Sequence, residues 1–215
     1  MFVRDRMSSP AVTAAPDTVF RDALNMMRKH QFRRLPVVDE DGKLLGIVCE
    51  HDLLTVSPSQ PGSLSVWELN RLRSTVQLRD LMTEEVITTT ADTPIEEVAR
   101  LMTDNKVGGL PVVDEEGHVV GVITETDIFK AFVEIFAGGR SGLRLTLEVP
   151  ADKEVLRELG EAVSESGGRI VSVGSFDGGA PGERGIVVKI QDTRKRQLLE
   201  TLEALGDHVV DAREV

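Results

Sequence analysis

The feature that most restricts this chain is an internal duplication. Residues 3–54 match residues 78–129 without a gap at an offset of 75, so that Met7 falls on Met82, Met27 on Met102 and Gly46 on Gly121. The block Leu35-Pro36-Val37-Val38-Asp39-Glu40 returns as Leu110-Pro111-Val112-Val113-Asp114-Glu115, and Glu50 and Asp52 return as Glu125 and Asp127. A unit of roughly fifty residues buries too little surface for a robust core of its own. A tandem pair therefore points to two units that bury their faces on one another.

Each copy reads alike. A β-rich run (residues 11–13, then 86–88) leads to apolar residues at helical spacing: Val19, Ala23, Met26 and Met27 in the first copy, Ile95, Val98, Ala99 and Met102 in the second. Thr93-Pro94-Ile95-Glu96 reads as a capping box with proline at the first helical position. Leu-Pro-Val-Val is a short buried strand that ends at Asp-Glu-Asp-Gly or Asp-Glu-Glu-Gly, a hairpin turn. Returning strands at Leu44–Cys49 and Val119–Thr124 then meet a helix that starts near Glu50 or Glu125. The predicted unit is β-α-β-β-α. Between the copies, Ser57-Pro58-Ser59-Gln60-Pro61-Gly62 has a loop composition, and Ser65-Val66-Trp67-Glu68 predicts a short helix carrying Trp67.

Beyond Gly138-Gly139 the pattern changes. Leu143 to Val149 alternates strictly, as a half-buried strand does. Asp152 is placed to cap a helix with Val155, Leu156, Leu159 and Val163 on one face, stopped at Gly167-Gly168. Strands over 170–176 and 185–190 flank a glycine-rich loop. A helix over 194–205 and a last strand over 209–212 complete a βαββαβ order, the ferredoxin-like arrangement. The expected class is α+β.

The net charge of −11 argues against nucleic-acid or membrane-surface binding through charge. No run approaches the roughly eighteen apolar residues of a membrane span, and the opening MFVRDRMSSP lacks the apolar segment of a signal peptide. The single Cys49 precludes an internal disulfide, so a reducing cytoplasm is the expected compartment. The four histidines have no partner at metal-ligand spacing, and no GxxxxGK loop is present. The expectation is a regulatory binding protein with no catalytic residues, no metal and no required cofactor.

The junction Gly121-Val122-Ile123-Thr124-Glu125-Thr126-Asp127, its twin Gly46-Ile47-Val48-Cys49-Glu50-His51-Asp52 and the duplication itself resemble the paired CBS motif, or Bateman module, over residues 3–137. A carboxylate three residues past a strand-end hydroxyl lies in the first turn of the helix and faces the same cleft. There it can accept hydrogen bonds from ribose hydroxyls. The Thr124 hydroxyl and the helix N–H groups can donate to ribose or phosphate oxygens. The plainer reading is that Asp52 and Asp127 complement their helix dipoles, worth under about 1 kcal/mol each.

The resemblance implies an adenosyl regulatory ligand: AMP, ADP, ATP or S-adenosylmethionine. It places adenine in an apolar slot made, in the second copy, by Thr88, Thr89, Val107, Leu110 and Pro111, with Thr124 and Asp127 beside it. The first-copy slot is Thr13, Ala14, Phe32, Leu35 and Pro36, with Asp52. Cys49 stands where the hydroxyl would be, and a thiol is a weaker donor and acceptor, so the first site is the weaker one. His30, Arg33 and Arg34 align with uncharged residues of the second copy. They are candidates to meet phosphates across the pseudo-twofold axis, or else are solvated or paired with nearby acids.

The last third is similar to an ACT domain, a family that binds amino acids or pairs its sheets. Pro150-Ala151-Asp152-Lys153 stands where ACT ligand sites carry a glycine, which favours dimerisation. The whole arrangement is similar to the acetoin-utilisation accessory proteins of bacteria, implying a role in carbon metabolism. The expected domains are CBS repeat 1 (1–56), a linker with a short helix (57–77), CBS repeat 2 (78–137) and an ACT-like domain (141–215). Expected partners are the small adenosyl ligand, a second copy in a homodimer and a target enzyme in trans. Alternatives are a constitutive scaffold without ligand and an amino-acid sensor acting through the C-terminal domain.

Overall fold

The computed structural model describes residues 1–55 and 76–215; the expected helix with Trp67 lies outside them. The chain forms two compact units, Met1–Phe129 and Lys130–Val215. The first copy supplies α1 (Phe20–His30), β1 (Arg34–Val38), β2 (Leu44–Cys49) and α2 (Glu50–Thr55). The second supplies α3 (Ile95–Asn105), β3 (Gly109–Val113), β4 (Val119–Thr124) and α4 (Glu125–Ile135).

Local chemistry accounts for the shared elements. Helix α1 buries Phe20, Ala23, Leu24 and Met27, and α3 buries Ile95, Val98 and Met102, as their spacing requires. Each helix ends at a left-handed residue, Gln31 or Lys106, whose N–H donates back to Met27 or Met102. The hairpins β1-β2 and β3-β4 are antiparallel, with the same register shift at Val37/Val38 and Val112/Val113. Their turns place Gly42 and Gly117 at φ of 86° and 89°, a region glycine enters without cost.

Two local expectations fail. The Thr93 hydroxyl does not cap α3; it lies 3.0 Å from the Thr90 hydroxyl, and the Ile95 N–H donates instead to Met1 O at 3.2 Å. The leading β-run shrinks in each copy to one parallel bridge, Ala14↔Val37 and Thr89↔Val112. The chain turns at 16–17 and 91–92 to enter the helix, which leaves no length for a longer ladder.

The duplicated methionines and glycines acquire their reason from an exchange between copies. The outer edge of β2 pairs with Thr83 (Ile47 N–H to Thr83 O, 3.0 Å), and the outer edge of β4 pairs with Ser8 (Ser8 N–H to Val122 O, 2.9 Å). Each hairpin is thus completed by the segment that leads into the other copy. Leu78, fully buried, joins Phe20, Leu35 and Leu53 in the first copy's core. A Cβ at Gly46 would meet Met82 Sδ at 2.7 Å and Thr83 O at 2.9 Å; at Gly121 it would meet Met7 Sδ at 2.7 Å and Ser8 O at 3.1 Å. The turns also join reciprocally, Leu44 N–H to Gly117 O and Val119 N–H to Gly42 O, both 3.1 Å. Gly46→Ala and Gly121→Ala are each expected to lower stability by at least about 1 kcal/mol, read from urea denaturation, because a crossing backbone cannot give way as a side chain can.

The second unit contains β5 (Leu143–Pro150), α5 (Val155–Glu165), β6 (Arg169–Asp177), β7 (Glu183–Gln191), α6 (Lys195–Ala204) and β8 (His208–Glu214). The four strands form one antiparallel sheet in the order β6-β7-β5-β8, joined as βαββαβ. Leu143, Leu145, Leu147 and Val149 alternate into a core with Leu159 and Val163 of α5 and Leu198 and Leu202 of α6. Asp152 does not cap α5: Glu154 precedes its first residue and no side chain accepts from the helix start. Among the described residues no helix is long and apolar enough to cross a membrane.

Candidate functional site

The β4–α4 junction gathers the groups that the sequence singles out. Thr124 stands opposite Gly109 in the β3-β4 ladder, and the Glu125 N–H donates to Gly108 O at 3.2 Å. Asp127 Oδ2 accepts from the Thr124 N–H at 2.9 Å and from its hydroxyl at 2.7 Å. The equivalent Asp52 Oδ2 accepts from the Cys49 N–H at the longer distance of 3.2 Å. Both acids therefore tie the first helical turn to the strand end, as the dipole reading requires, and both remain half-buried. The Thr124 hydroxyl adds a second hydrogen bond from the strand end to the carboxylate.

The slot residues divide by burial. Leu35 and Leu110 are core residues, 0% and 1% exposed, and Pro36 and Pro111 are buried beside them. Thr13, Phe32, Thr88 and Val107 are half-buried. Ala14 donates to Pro36 O at 3.0 Å, and Thr89 donates to Pro111 O at 3.1 Å, so the bridge residues and prolines of each slot are adjacent. The difference between copies lies in the side chain there: Thr89 Oγ1 is buried without a hydrogen-bond partner, where the first copy has a methyl group. A buried hydroxyl left unsatisfied costs free energy that a ligand acceptor would recover.

The three basic candidates go to different places. The His30 ring stacks on Phe32 of its own copy, with centroids 5.8 Å apart. Arg33 is exposed, and its carbonyl accepts from the Glu50 N–H at 2.9 Å. Arg34 reaches the second copy: its Cδ lies 3.2 Å from where a Cβ on Gly109 would stand, and its Nη2 lies 2.5 Å from that of Gly108. By sequence Gly108 and Gly109 are uncharged counterparts of Arg33 and Arg34; in the fold their missing side chains leave room for Arg34. The missing side chains opposite a basic pair were the available signal.

Arg34 also pairs with Cys49 across the β1-β2 ladder. Burial pushes the Cys49 thiol above its ordinary value, and the Asp52 charge adds to this while Arg34 opposes it. Cys49 is therefore expected to alkylate slowly near neutral pH, with a pH midpoint above that of a free cysteine; Arg34→Met should raise the midpoint further in iodoacetamide kinetics.

At the β3-β4 turn, Asp114, Glu116 and His118 bring one ligand atom each within 4.8 Å of one another. Asp114 Oδ1 already accepts from the Glu116 and His118 N–H groups, and Oδ2 lies 3.0 Å from His118 Nδ1, so the acid is committed to the turn.

The second unit contains a cavity of about 390 Å³ at the β5–α5 loop, lined by Ala151, Lys153, Leu156, Val173, Ser175 and Arg184, among others. Lys153 is consumed by acids: Nζ lies 2.5 Å from Asp207 Oδ1 and 3.1 Å from Glu158 Oε2. The hydrogen bond to Asp207 raises its pKa, with Glu158 adding to the effect against desolvation. Arg184 donates through Nη2 to Lys153 O at 2.9 Å, whereas its buried Nε has no partner. The sequence drew no attention to Arg184, because its burial depends on how β7 packs beneath the loop.

The similar solved structures cover about three fifths of this chain. The CBS domain pair of protein MJ0100, in complex with 5′-methylthioadenosine and S-adenosyl-L-methionine, is 33% identical over 61% of this chain and 99% of that one, with a TM-score of 0.52. CBSX2 of Arabidopsis thaliana in complex with AMP is 29% identical over 62% and 97%, with a TM-score of 0.52. A Vibrio cholerae protein described as an acetoin utilization protein is 28% identical over 64% and 93%, with a TM-score of 0.53. Curated relatives are of very different lengths: this chain spans 93% of a Dictyostelium discoideum CBS domain-containing protein but 23% of a Methanocaldococcus jannaschii L-aspartate semialdehyde sulfurtransferase. The family model for the CBS domain matches residues 3–59 and again 78–134, more than half of the sequence, and the chain belongs to that family.

Proposed function

We propose that the chain is a non-catalytic regulatory sensor of adenosyl ligands, whose CBS pair binds AMP, ADP, ATP, S-adenosylmethionine or a related compound chiefly at the second site. The observation that carries this reading is the junction where the half-buried Asp127 carboxylate accepts from the Thr124 N–H and hydroxyl, on the hairpin whose β3 strand bonds the backbone of Thr89, itself carrying a buried hydroxyl without a partner. Similar CBS pairs occur with AMP and with S-adenosylmethionine, which supports the ligand class. Ribose would lie on Thr124 and Asp127, adenine against Thr88 and Val107, and a phosphate toward Arg34. The first site, with Ala14 and Cys49 in place of two hydroxyls, binds more weakly.

The C-terminal unit, ACT-like in its element order, pairs two copies of the chain in this reading; Phe132, Val133 and Phe176 are exposed by 58%, 53% and 50% in that unit. The homodimer would act in the cytoplasm on a target enzyme in trans, in carbon metabolism akin to acetoin use, a role supported by the likeness to the Vibrio cholerae protein. Isothermal titration with AMP, ADP, ATP and S-adenosylmethionine tests the reading. Saturable heat from at least one ligand is expected, and none from any would favour the ligand-free scaffold.

A second reading concerns the cavity of the C-terminal unit. The buried, partnerless Nε of Arg184 favours a small carboxylate or amino acid there, despite the missing loop glycine. A thermal shift with an amino-acid panel, lost in Arg184→Met, separates this site from the CBS pair.

A further inference from the structure

Arg34 does not stand alone beside the second site. A Cβ at Gly108 would be 2.5 Å from Arg34 Nη2 and 2.7 Å from Glu125 Oε2, so a cation of the first copy and an anion of the second converge on one space. Glu125 follows Thr124 directly, and its N–H is fixed on Gly108 O. Arg34 is held from the other side, opposite Cys49 in the β1-β2 ladder. The first site has no equivalent: where Arg34 crosses to two glycines, the pseudo-twofold operation would send Gly109 toward Arg33 and Arg34. Through the ladder Arg34 also faces Cys49 of the first junction, whereas Glu125 belongs to the second.

We propose that Glu125 and Arg34 form a charge filter that sets which adenosyl ligands the second site prefers. The inference rests on the adenosyl-binding reading above and adds what selects among such ligands. Arg34 attracts a 5′-phosphate, while Glu125 repels the same phosphate and competes for the guanidinium. An uncharged 5′ group meets neither effect, so the ratio of AMP affinity to 5′-methylthioadenosine affinity reports the filter. Charges a few ångströms apart at a half-exposed site interact strongly enough to move such a ratio by about tenfold. Gly108 is what admits both groups, and its φ lies outside the left-handed region, so alanine is compatible with the backbone there.

The test is isothermal titration of the full chain with AMP and with 5′-methylthioadenosine. Glu125→Gln is expected to raise the AMP to 5′-methylthioadenosine affinity ratio about tenfold, and Arg34→Met to lower it about tenfold, with 5′-methylthioadenosine affinity nearly constant. If both compounds bind and no variant moves the ratio, the filter alone is overturned. If neither compound binds the wild-type chain, the filter is overturned, and the titration with ADP, ATP and S-adenosylmethionine decides the adenosyl reading separately. Circular dichroism and melting temperature establish that each variant is folded before the ratio is read.

Discussion

Asp127→Ala should weaken AMP or S-adenosylmethionine binding by about tenfold to a hundredfold, whereas Asp52→Ala should change the tighter binding event little. A hydrogen bond to a charged group contributes about 1.5–3 kcal/mol, and the Asp127 carboxylate is an acceptor suited to ribose hydroxyls. The variant also severs the bonds from the Thr124 N–H and hydroxyl, at 2.9 and 2.7 Å, which close the first turn of α4. Loss of such a closure costs about 1 kcal/mol of stability. A melting curve therefore accompanies the titration. Asp127→Asn keeps the shape and one acceptor oxygen and should fall between wild type and alanine. Equal affinity of wild type and Asp127→Ala for every ligand tested would remove Asp127 from the site and leave it a helix-terminal acid.

Lys153→Met is expected to destabilise the second unit by about 3 kcal/mol, as removal of one partner from a buried ion pair does. Asp207 has a fully buried side chain whose Oδ1 contacts Lys153 Nζ and whose Oδ2 has no hydrogen-bond partner. Without the cation that carboxylate would be buried and uncompensated. Asp207→Asn in the same chain should recover part of the loss, because an amide needs no counter-charge. The pH dependence follows from the raised pKa of Lys153: its contribution is complete below the ordinary lysine value of 10.5 and fades only as pH rises through the higher folded value. The difference between wild type and variant should thus be flat across the neutral range in chemical denaturation. A loss under about 0.5 kcal/mol, the range of an ordinary surface substitution, would show that the cluster is solvated and unimportant.

The sequence alone determined whatever depends on near neighbours. The duplication, the amphipathic helices, the Asp-x-x-Gly hairpin turns and the βαββαβ order all leave a short-range period or a turn residue in the chain, and those signals do not need the fold to be read. Thr124 and Asp127 were legible for the same reason: three residues of separation place them on one helical turn. Local signals failed where a distant group competed for the same atoms. Thr93 looked like a cap, but Met1 O took the Ile95 N–H.

Tertiary structure alone decided how the copies interlock. Ser8 lies far from Val122 in sequence and Thr83 far from Ile47, yet these pairs complete the two hairpins. Met7 and Gly121 were visible as repeated residues, and only packing showed that one needs the space the other leaves. The meeting of Arg34 with Gly108 and Glu125, and the burial of Arg184, belong to the same class. Long-range contacts are set by which surfaces are left to bury once local elements have formed, and that remainder has no period in the sequence. What the pattern of residues fixed was therefore the parts and their polarity; which charges face each other across the pair was fixed by the assembly of those parts.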